Sequence, residues 1–289
     1  MVSAQFKIGL VTDLISMDLG SVLKAVNEMR LNYVEIHSLW NKTIEDLSGP
    51  EIEETKSLLK QTNLKVSNLS STLFLMCPLV DEKKPKDLDI DFITKRGSYS
   101  EHLNYLKNCF KLCKEFKTNI IRIFGFREQE NLELPADIIL EKVAERLEKS
   151  VQLAENAGIT LALENCPYTY LPTGILTHKV ARKIDSHALK LVWDPGNTLK
   201  AGMDPLSEYP LIKDDIVHIH IKNLTKNGKG VPIGKGIIDY SKLLGKLVED
   251  NYQGVISLEP ECALEGSKEK AVRKDLKDLK WILSLLNDK

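Results

Sequence analysis

Short runs of apolar and β-branched residues alternate along the chain with longer segments whose apolar residues recur every three to four positions. The short runs predict strands at Lys7–Val11, Tyr33–His37, Lys65–Ser70, Asn119–Phe124, Ile159–Glu164, Leu189–Asp194, Ile216–Ile221 and Gly254–Glu259. The longer segments predict helices at about Leu19–Arg30, Pro50–Gln61, Ser100–Phe116, Ala136–Ala157, Gly174–Ile184, Pro205–Lys213, Tyr240–Glu249 and Lys268–Leu286. The chain is therefore a series of strand–helix units.

Eight such units without an intervening linker or composition shift predict an α/β fold, a single (β/α)8 TIM barrel that spans residues 1–289 as one domain. The alternative is a doubly wound sheet, which opens with a glycine-rich phosphate loop after its first strand. The sequence at that position is VTDLISMDLGS, which lacks the GxGxxG spacing. The pattern thus favours the barrel.

Charge and composition narrow the class of protein. Lys and Arg total 40 against 41 Asp and Glu, so no overall positive field attracts nucleic acid. The longest apolar runs, such as Leu73–Cys77, are too short for a bilayer, and the first residues lack a secretory pattern. The five cysteines are scattered and odd in number. We expect reduced thiols, a cytoplasmic location, and neither nucleic-acid nor membrane partners.

Two predicted strand–helix connections are long. They are Leu73–Gly97, with an apolar head and a charged tail, and the glycine-rich Asn223–Asp239. Long connections in compact domains are usually binding loops or lids, and in a barrel they follow the carboxyl ends of the strands, where active sites lie. We expect the first to form a partial lid over the mouth of the barrel.

Polar residues occupy equivalent places at the carboxyl ends of four successive predicted strands. They are Glu164, Asp194, His220 and Glu259. In a (β/α)8 barrel these ends converge, and the period-2 alternation before Glu164 and Glu259 turns both acids inward. Carboxylates at such short distances repel one another unless a cation neutralises them. The arrangement predicts a divalent metal site.

The strand ends LALEN, LVWDPGN, HIHIKN and SLEPE, the early YVEIH and the loop PIGKGIIDY resemble the xylose isomerase-like TIM-barrel family of sugar phosphate isomerases and epimerases. The resemblance covers essentially the whole chain. It implies that Glu164, Asp194, His220 and Glu259 are the metal ligands and that Glu164 and Glu259 also transfer protons. The family includes isomerases, epimerases, dehydratases, other lyases and abasic-site nucleases, so the resemblance leaves the reaction open.

Departures from the family's patterns restrict these choices. Ketose epimerases of the group usually carry His three residues after the aspartate, and Asn197 at this position argues against simple ketose 3-epimerisation. The nucleases use a histidine-rich three-zinc site, whereas this chain has six histidines in all and none in its third strand. Lys235 replaces an acid that many relatives carry between the two glycines, which suits either an anionic substrate or an exposed loop.

Several further residues on the predicted inner face are candidates for substrate binding or for structure. Asn165, Asn197, Lys222 and Lys235 are the predicted substrate contacts. A buried ion pair between Glu35 and Arg122 is favoured over substrate binding for those two. His218, one layer deeper than His220, is expected to support the site rather than to bind the metal.

Three carboxylates and one imidazole favour Mg²⁺ or Mn²⁺, and Co²⁺ or Zn²⁺ are also compatible. One such ion would polarise a substrate carbonyl and stabilise the enediolate left by α-proton loss. The sequence thus predicts a metal-dependent isomerase or epimerase of a sugar, sugar phosphate or keto-polyol, compatible with a homo-oligomer. The alternatives are a metal-dependent dehydratase or lyase on a keto-sugar or inosose, and a non-catalytic binding barrel. The complete set of four ligands argues against the last.

Overall fold

The alternating pattern folds into a ring of parallel strands surrounded by helices, in a computed structural model that describes residues 6–88 and 93–287. Within these residues the ring has eight strands: β1 (Lys7–Leu10), β2 (Tyr33–Ile36), β3 (Lys65–Leu69), β4 (Ile120–Phe124), β5 (Thr160–Glu164), β6 (Leu189–Trp193), β7 (Ile216–Ile221) and β8 (Val255–Leu258). No strand differs from its predicted bounds by more than one residue at either end.

Strand pairing follows chain order around the ring. Each strand from β2 to β8 is hydrogen-bonded to the next, and β8 pairs with β1. A parallel bridge between Val11 and Glu35 joins the ends of β1 and β2 and closes the barrel. The predicted (β/α)8 barrel is confirmed.

The helices of the described part are α1 (Leu19–Glu28), α2 (Gly49–Thr62), α3 (Tyr99–Phe116), α4 (Ala136–Ala157), α5 (Gly174–Ile184), α6 (Pro195–Lys200), α7 (Pro205–Ile212), α8 (Tyr240–Glu249) and α9 (Lys268–Asn287). Local signals set several ends: Ser98 and Glu101 form a capping box at the start of α3, and α4 stops at left-handed Gly158. Helix α6 was not predicted, because six residues are too few for a hydrophobic period to be visible.

The barrel interior is polar, whereas the layer between strands and helices is apolar. Leu161, Leu163 and their counterparts on the other strands are fully buried in the apolar core. Inside the ring, buried polar groups contact one another: Asn68 of β3 reaches His218 of β7 through the barrel interior, and Ser257 reaches it from the neighbouring strand β8. Most buried polar groups in proteins are hydrogen-bonded, and these side chains form such a network.

The two long connections both lie at the carboxyl ends of the strands. Leu73 and Leu75 accept backbone hydrogen bonds from Phe124 and Arg127, and Leu75 and Met76 pack on Phe124 and Cys166. This places the apolar head of the first connection beside β4 and β5, while residues 89–92 of the same connection lie outside the described residues. Whether it closes over the mouth stays a prediction.

None of the helices in residues 6–88 and 93–287 combines the length and the apolar character that a bilayer-spanning helix requires.

Candidate functional site

Four adjacent strands bring the predicted ligand residues together at the mouth of the barrel. Glu164 ends β5, Asp194 follows β6, His220 lies in β7 and Glu259 follows β8. Each offers one ligand atom, and these four atoms all lie within 4.8 Å of one another. Glu164, Asp194 and His220 are buried, and Glu259 is about one fifth exposed. The site is therefore closed on the barrel side and open at Glu259.

The His220 imidazole has one nitrogen on each side of the site. Its Nδ1 lies 3.2 Å from Glu164 Oε1 and 3.4 Å from Glu259 Oε2, while its Nε2 lies 3.0 Å from Glu35 Oε1. Glu35 is fully buried and also contacts His218 Nε2 at 2.8 Å. A carboxylate behind a histidine fixes the ring orientation and the tautomer. The geometry thus directs Nδ1 at the two glutamates.

Arg122 belongs to the same buried network. Its Nη1 lies 3.1 Å from Glu164 Oε2, and its other nitrogens donate to the backbone oxygens of Ser70 and Ser71. The sequence pattern paired Glu35 with Arg122; the structure instead gives Glu35 to the two histidines and Arg122 to Glu164. The reason is that Glu35 of β2 reaches the two histidines of β7 through the barrel interior, whereas Arg122 and Glu164 lie on the neighbouring strands β4 and β5.

His218 is placed as predicted, one layer below His220. Its ring contacts Glu35, the Ser257 hydroxyl at 2.9 Å and the Asn68 amide. It is buried among these polar groups and supports the ring above it through their shared partner, Glu35.

The Lys222 side chain points toward two of the four predicted ligand residues. Its Nζ lies 2.7 Å from Asp194 Oδ2, 3.2 Å from Glu259 Oε2 and 2.8 Å from Glu261 Oε1, and the side chain is buried. Gly196 makes room for it, because a Cβ there would meet Lys222 Cγ at 2.5 Å. The structure thus supplies a cation to carboxylates that the sequence pattern assigned to a metal ion alone.

Asn165 and Asn197 hold the ends of β5 and β6 together. The Asn165 side chain accepts from the Asp194 amide at 2.8 Å and donates to the Asp194 carbonyl and to Thr198 Oγ1. Asn197 donates from its backbone amide to Asp194 Oδ1 and from its side chain to the Asn165 carbonyl. These bonds already use both the oxygen and the nitrogen of the Asn165 side-chain amide. Contact of Asn165 and Asn197 with a substrate stays a prediction.

Lys235 lies on an exposed turn of the β7–α8 connection, in a short 3-10 helix at Ile233–Lys235. The connection is held by Asn223, whose amide donates to the carbonyls of Ile233 and Ile238. Gly236 passes so close that a Cβ there would collide with Asn223 Cγ at 2.1 Å. The structure leaves the Lys235 ammonium outside the group formed by the four ligand atoms.

The electrostatics of the site follow from burial and close opposite charges. Burial alone would lower the pKa of His220, but Glu35, Glu259 and Glu164 outweigh it and raise that pKa well above its ordinary value. Burial alone would raise the pKa of Glu259, yet Lys222 and His220 hold it well below the usual range. Lys222, Arg122 and His220 thus lie opposite the carboxylates, while burial raises the pKa of Asp194 to about 7 despite the nearby Lys222.

Sequence reasoning missed two members of this network. Glu261 lies two residues after Glu259 in SLEPE, which is a signal that was available but unused. Asp13 follows β1, and its Oδ2 lies 3.1 Å from Nδ1 of His37 after β2. Burial would raise the pKa of Asp13, but His37 and Arg122 lower it overall. No spacing rule joins Asp13 to His37, because they follow different strands.

Comparison with known proteins places the chain among similar barrels. The profile of the xylose isomerase-like TIM barrel matches residues 23–284. An uncharacterised protein of Methanocaldococcus jannaschii is 31% identical over 157 residues, 52% of each chain. L-ribulose-5-phosphate 3-epimerase UlaE of Escherichia coli is 24% identical over 207 residues, 69% of each chain. The chain thus spans about half the length of the first relative.

Solved structures show the same fold. The 3-keto-D-glucoside 4-epimerase YcjR of E. coli has a TM-score of 0.73 at 19% identity, over 97% of this chain and 100% of its own. A Mycobacterium smegmatis barrel in complex with magnesium has a TM-score of 0.71 at 19% identity, over 100% and 99%. The IOLI protein with a bound zinc atom has a TM-score of 0.73 at 17% identity, over 96% and 98%.

Proposed function

Because the chain belongs to the xylose isomerase-like TIM barrel family, we propose that it is a divalent-metal-dependent isomerase or epimerase of sugars or sugar derivatives. The observation that carries the proposal is the grouping of Glu164, Asp194, His220 and Glu259, whose ligand atoms lie within 4.8 Å of one another. Two similar proteins, UlaE and YcjR, are named as epimerases of a ketose phosphate and of a keto-sugar. The proposed substrate is accordingly a small ketose, sugar phosphate or keto-polyol.

The spacing of the four residues fits one hard divalent ion. Glu164, Asp194, His220 and Glu259 would hold the ion, since they offer three carboxylate oxygens and one imidazole nitrogen within 4.8 Å of one another. The ligand set favours Mg²⁺ or Mn²⁺ and is compatible with Co²⁺ or Zn²⁺. A bound ion would supply Lewis-acid polarisation of a substrate carbonyl.

Glu164 and Glu259 are the proposed proton-transfer pair. They approach the site from β5 and β8, on either side of His220. One carboxylate takes the proton from the carbon next to the carbonyl, and the electrons of the broken C–H bond form the double bond of the enediolate. A carboxyl group then returns a proton to carbon. Return to the same carbon from the opposite face is epimerisation, and return to the neighbouring carbon is isomerisation.

The test is metal-dependent exchange of the substrate α-proton. Chelator-dialysed protein, with and without Mn²⁺, is incubated in D₂O with ketoses, ketose phosphates, inososes and 3-keto sugars, and the α-proton signal is followed by NMR in samples from which protein and paramagnetic Mn²⁺ have been removed. We expect loss of this signal for one substrate class, only when Mn²⁺ is bound. Exchange that proceeds without metal would contradict the proposal. Formation of a deoxy-keto product would instead assign a dehydratase.

A non-catalytic barrel is distinguished by the same panel. It would bind Mn²⁺ and yet exchange no α-proton of any compound. The metal content of each sample is measured by atomic emission, so that inactivity of metal-free protein is not mistaken for absence of catalysis.

A further inference from the structure

The buried ammonium of Lys222 contacts two of the four residues proposed to bind the metal. It lies 2.7 Å from Asp194 Oδ2 and 3.2 Å from Glu259 Oε2. The other Asp194 oxygen, Oδ1, accepts the backbone N–H of Asn197 as the cap of α6. Oδ2 is thus the oxygen that Asp194 has left for an ion, and Lys222 holds it.

The position of Lys222 is built into the surrounding fold. Its backbone amide and carbonyl both bond to the Tyr240 hydroxyl, which fixes the start of the side chain. Gly196 leaves the space through which the aliphatic stem passes, since a Cβ there would lie 2.5 Å from Lys222 Cγ. The side chain is 5% exposed, so Lys222 is not a surface lysine.

A third carboxylate lies on the outer side of the same ammonium. Glu261 Oε1 is 2.8 Å from Lys222 Nζ, and the other Glu261 oxygen pairs with Lys200. The Glu261 side chain is about one third exposed, whereas Asp194 is fully buried. Lys222 therefore has one partner on the solvent side that would remain if it left the two inner carboxylates.

We propose that Lys222 is an internal cation that competes with the divalent ion for Asp194 and Glu259, and that Glu261 receives it when the ion binds. The inference rests on the proposed metal site. An ammonium and a divalent ion on the same carboxylate oxygens repel each other strongly. The ammonium thus neutralises the carboxylates when no divalent ion is bound. The affinity for metal then depends on how much more strongly these carboxylates bind the divalent ion than they bind the Lys222 ammonium.

The test compares Mn²⁺ binding by calorimetry in the wild type, Lys222→Met and Lys200→Met. Methionine keeps an unbranched stem without the charge, and Lys200 is the matched control because it contacts Glu261 but neither inner carboxylate. We expect Lys222→Met to bind Mn²⁺ about tenfold or more tightly than the wild type, since it no longer places a like charge beside the ion. Lys200→Met should change the affinity by no more than about twofold, as a rim charge.

The outcomes separate this inference from the function. Equal affinity in the wild type and Lys222→Met overturns the competition and leaves the metal site standing. Binding only in Lys222→Met supports the competition. Absence of binding in every variant overturns both the competition and the proposed metal-dependent function. Lys222→Gln serves as the second neutral variant if Lys222→Met does not fold.

A second measurement uses the unaltered protein. Acetylation of lysines is mapped by mass spectrometry in chelator and with saturating Zn²⁺, with exposed Lys235 as the internal reference. We expect Lys222 to be protected in chelator and to react faster with Zn²⁺, because it moves toward Glu261. An unchanged rate while calorimetry shows bound Zn²⁺ would contradict the exchange of partners.

Discussion

The two halves of the barrel mouth differ in the groups that they supply. Strands β5–β8 end in the four proposed ligands, Glu164, Asp194, His220 and Glu259. Strands β2 and β4 supply Glu35 and Arg122, which contact those ligands from behind. One half thus presents the reactive oxygens and nitrogen, and the other half orients them.

This difference explains why only one half was easy to recognise in the sequence. A ligand must stand at the end of its own strand, so its place is visible in each strand pattern. An orienting residue needs only to reach a ligand residue through the barrel interior, from a neighbouring strand or from farther around the ring. Arg122 and Glu35 do so from inside the barrel, where each has a buried acceptor or donor as its partner.

The largest expected effect comes from the reactive half. Glu164→Gln and Glu259→Gln should each reduce α-proton exchange by about 10²–10⁴-fold, the usual contribution of a general acid or base. Exchange is followed by NMR in D₂O with metal content measured in parallel. Unchanged exchange in both variants at full metal occupancy would move proton transfer to another residue, such as His218 or Lys222.

The orienting half is tested at Glu35. Glu35→Gln removes the charge behind His220 and should weaken metal affinity by about 10–100-fold, as for other residues that orient a ligand. Calorimetry measures the affinity, and ¹⁵N NMR of the His220 ring reports its tautomer. Glu28→Gln, on the exposed side of α1, is the control. Recovery of affinity in Glu35→Asp would support orientation, whereas an unchanged His220 spectrum in Glu35→Gln would contradict it.

Asn165 tests whether buried hydrogen bonds between β5 and β6 stabilise the reactive half. Asn165→Ala leaves the Asp194 amide and carbonyl without their side-chain partner, and each unpaired buried group costs about 1–3 kcal/mol. We expect a lower free energy of unfolding, measured in urea, and only a small change in KM. A large rise in KM at unchanged stability would restore Asn165 as a substrate contact.

Asp275 tests how the β7–α8 connection is held. Its Oδ1 accepts the Ile233 N–H at 2.9 Å, and burial, with help from Asp278, raises its pKa to about 7. The folded protein thus keeps this proton to higher pH than the unfolded chain, so stability falls as pH rises from about 4 to about 7. The expected slope is about 1 kcal/mol per pH unit. Asp275→Asn should flatten the slope in urea unfolding and Glu28→Gln, on the exposed side of α1, should not; equal slopes in all three proteins would refute the assignment.

Local patterns in the sequence determined the strands, most helices and the positions of the four proposed ligands. Strand alternation and helix periodicity act within a few residues, so Ala136–Ala157 and Ile216–Ile221 were predicted with the bounds that the structure has. The same alternation turned Glu164 and Glu259 inward. The grouping of the four ligand residues then follows from the barrel, because parallel strands end at one mouth.

Only the tertiary structure decided which partner each polar group has. Glu35 lies 185 positions from His220 in the chain, and Arg122 is paired with Glu164 rather than with Glu35. Lys222 is a predicted substrate contact in the sequence, which stays a prediction, and only the structure shows that it lies among Asp194, Glu259 and Glu261. These pairings depend on which strands face each other across the closed ring and on side-chain reach. Neither quantity is encoded in a local pattern, because both exist only after the barrel has closed.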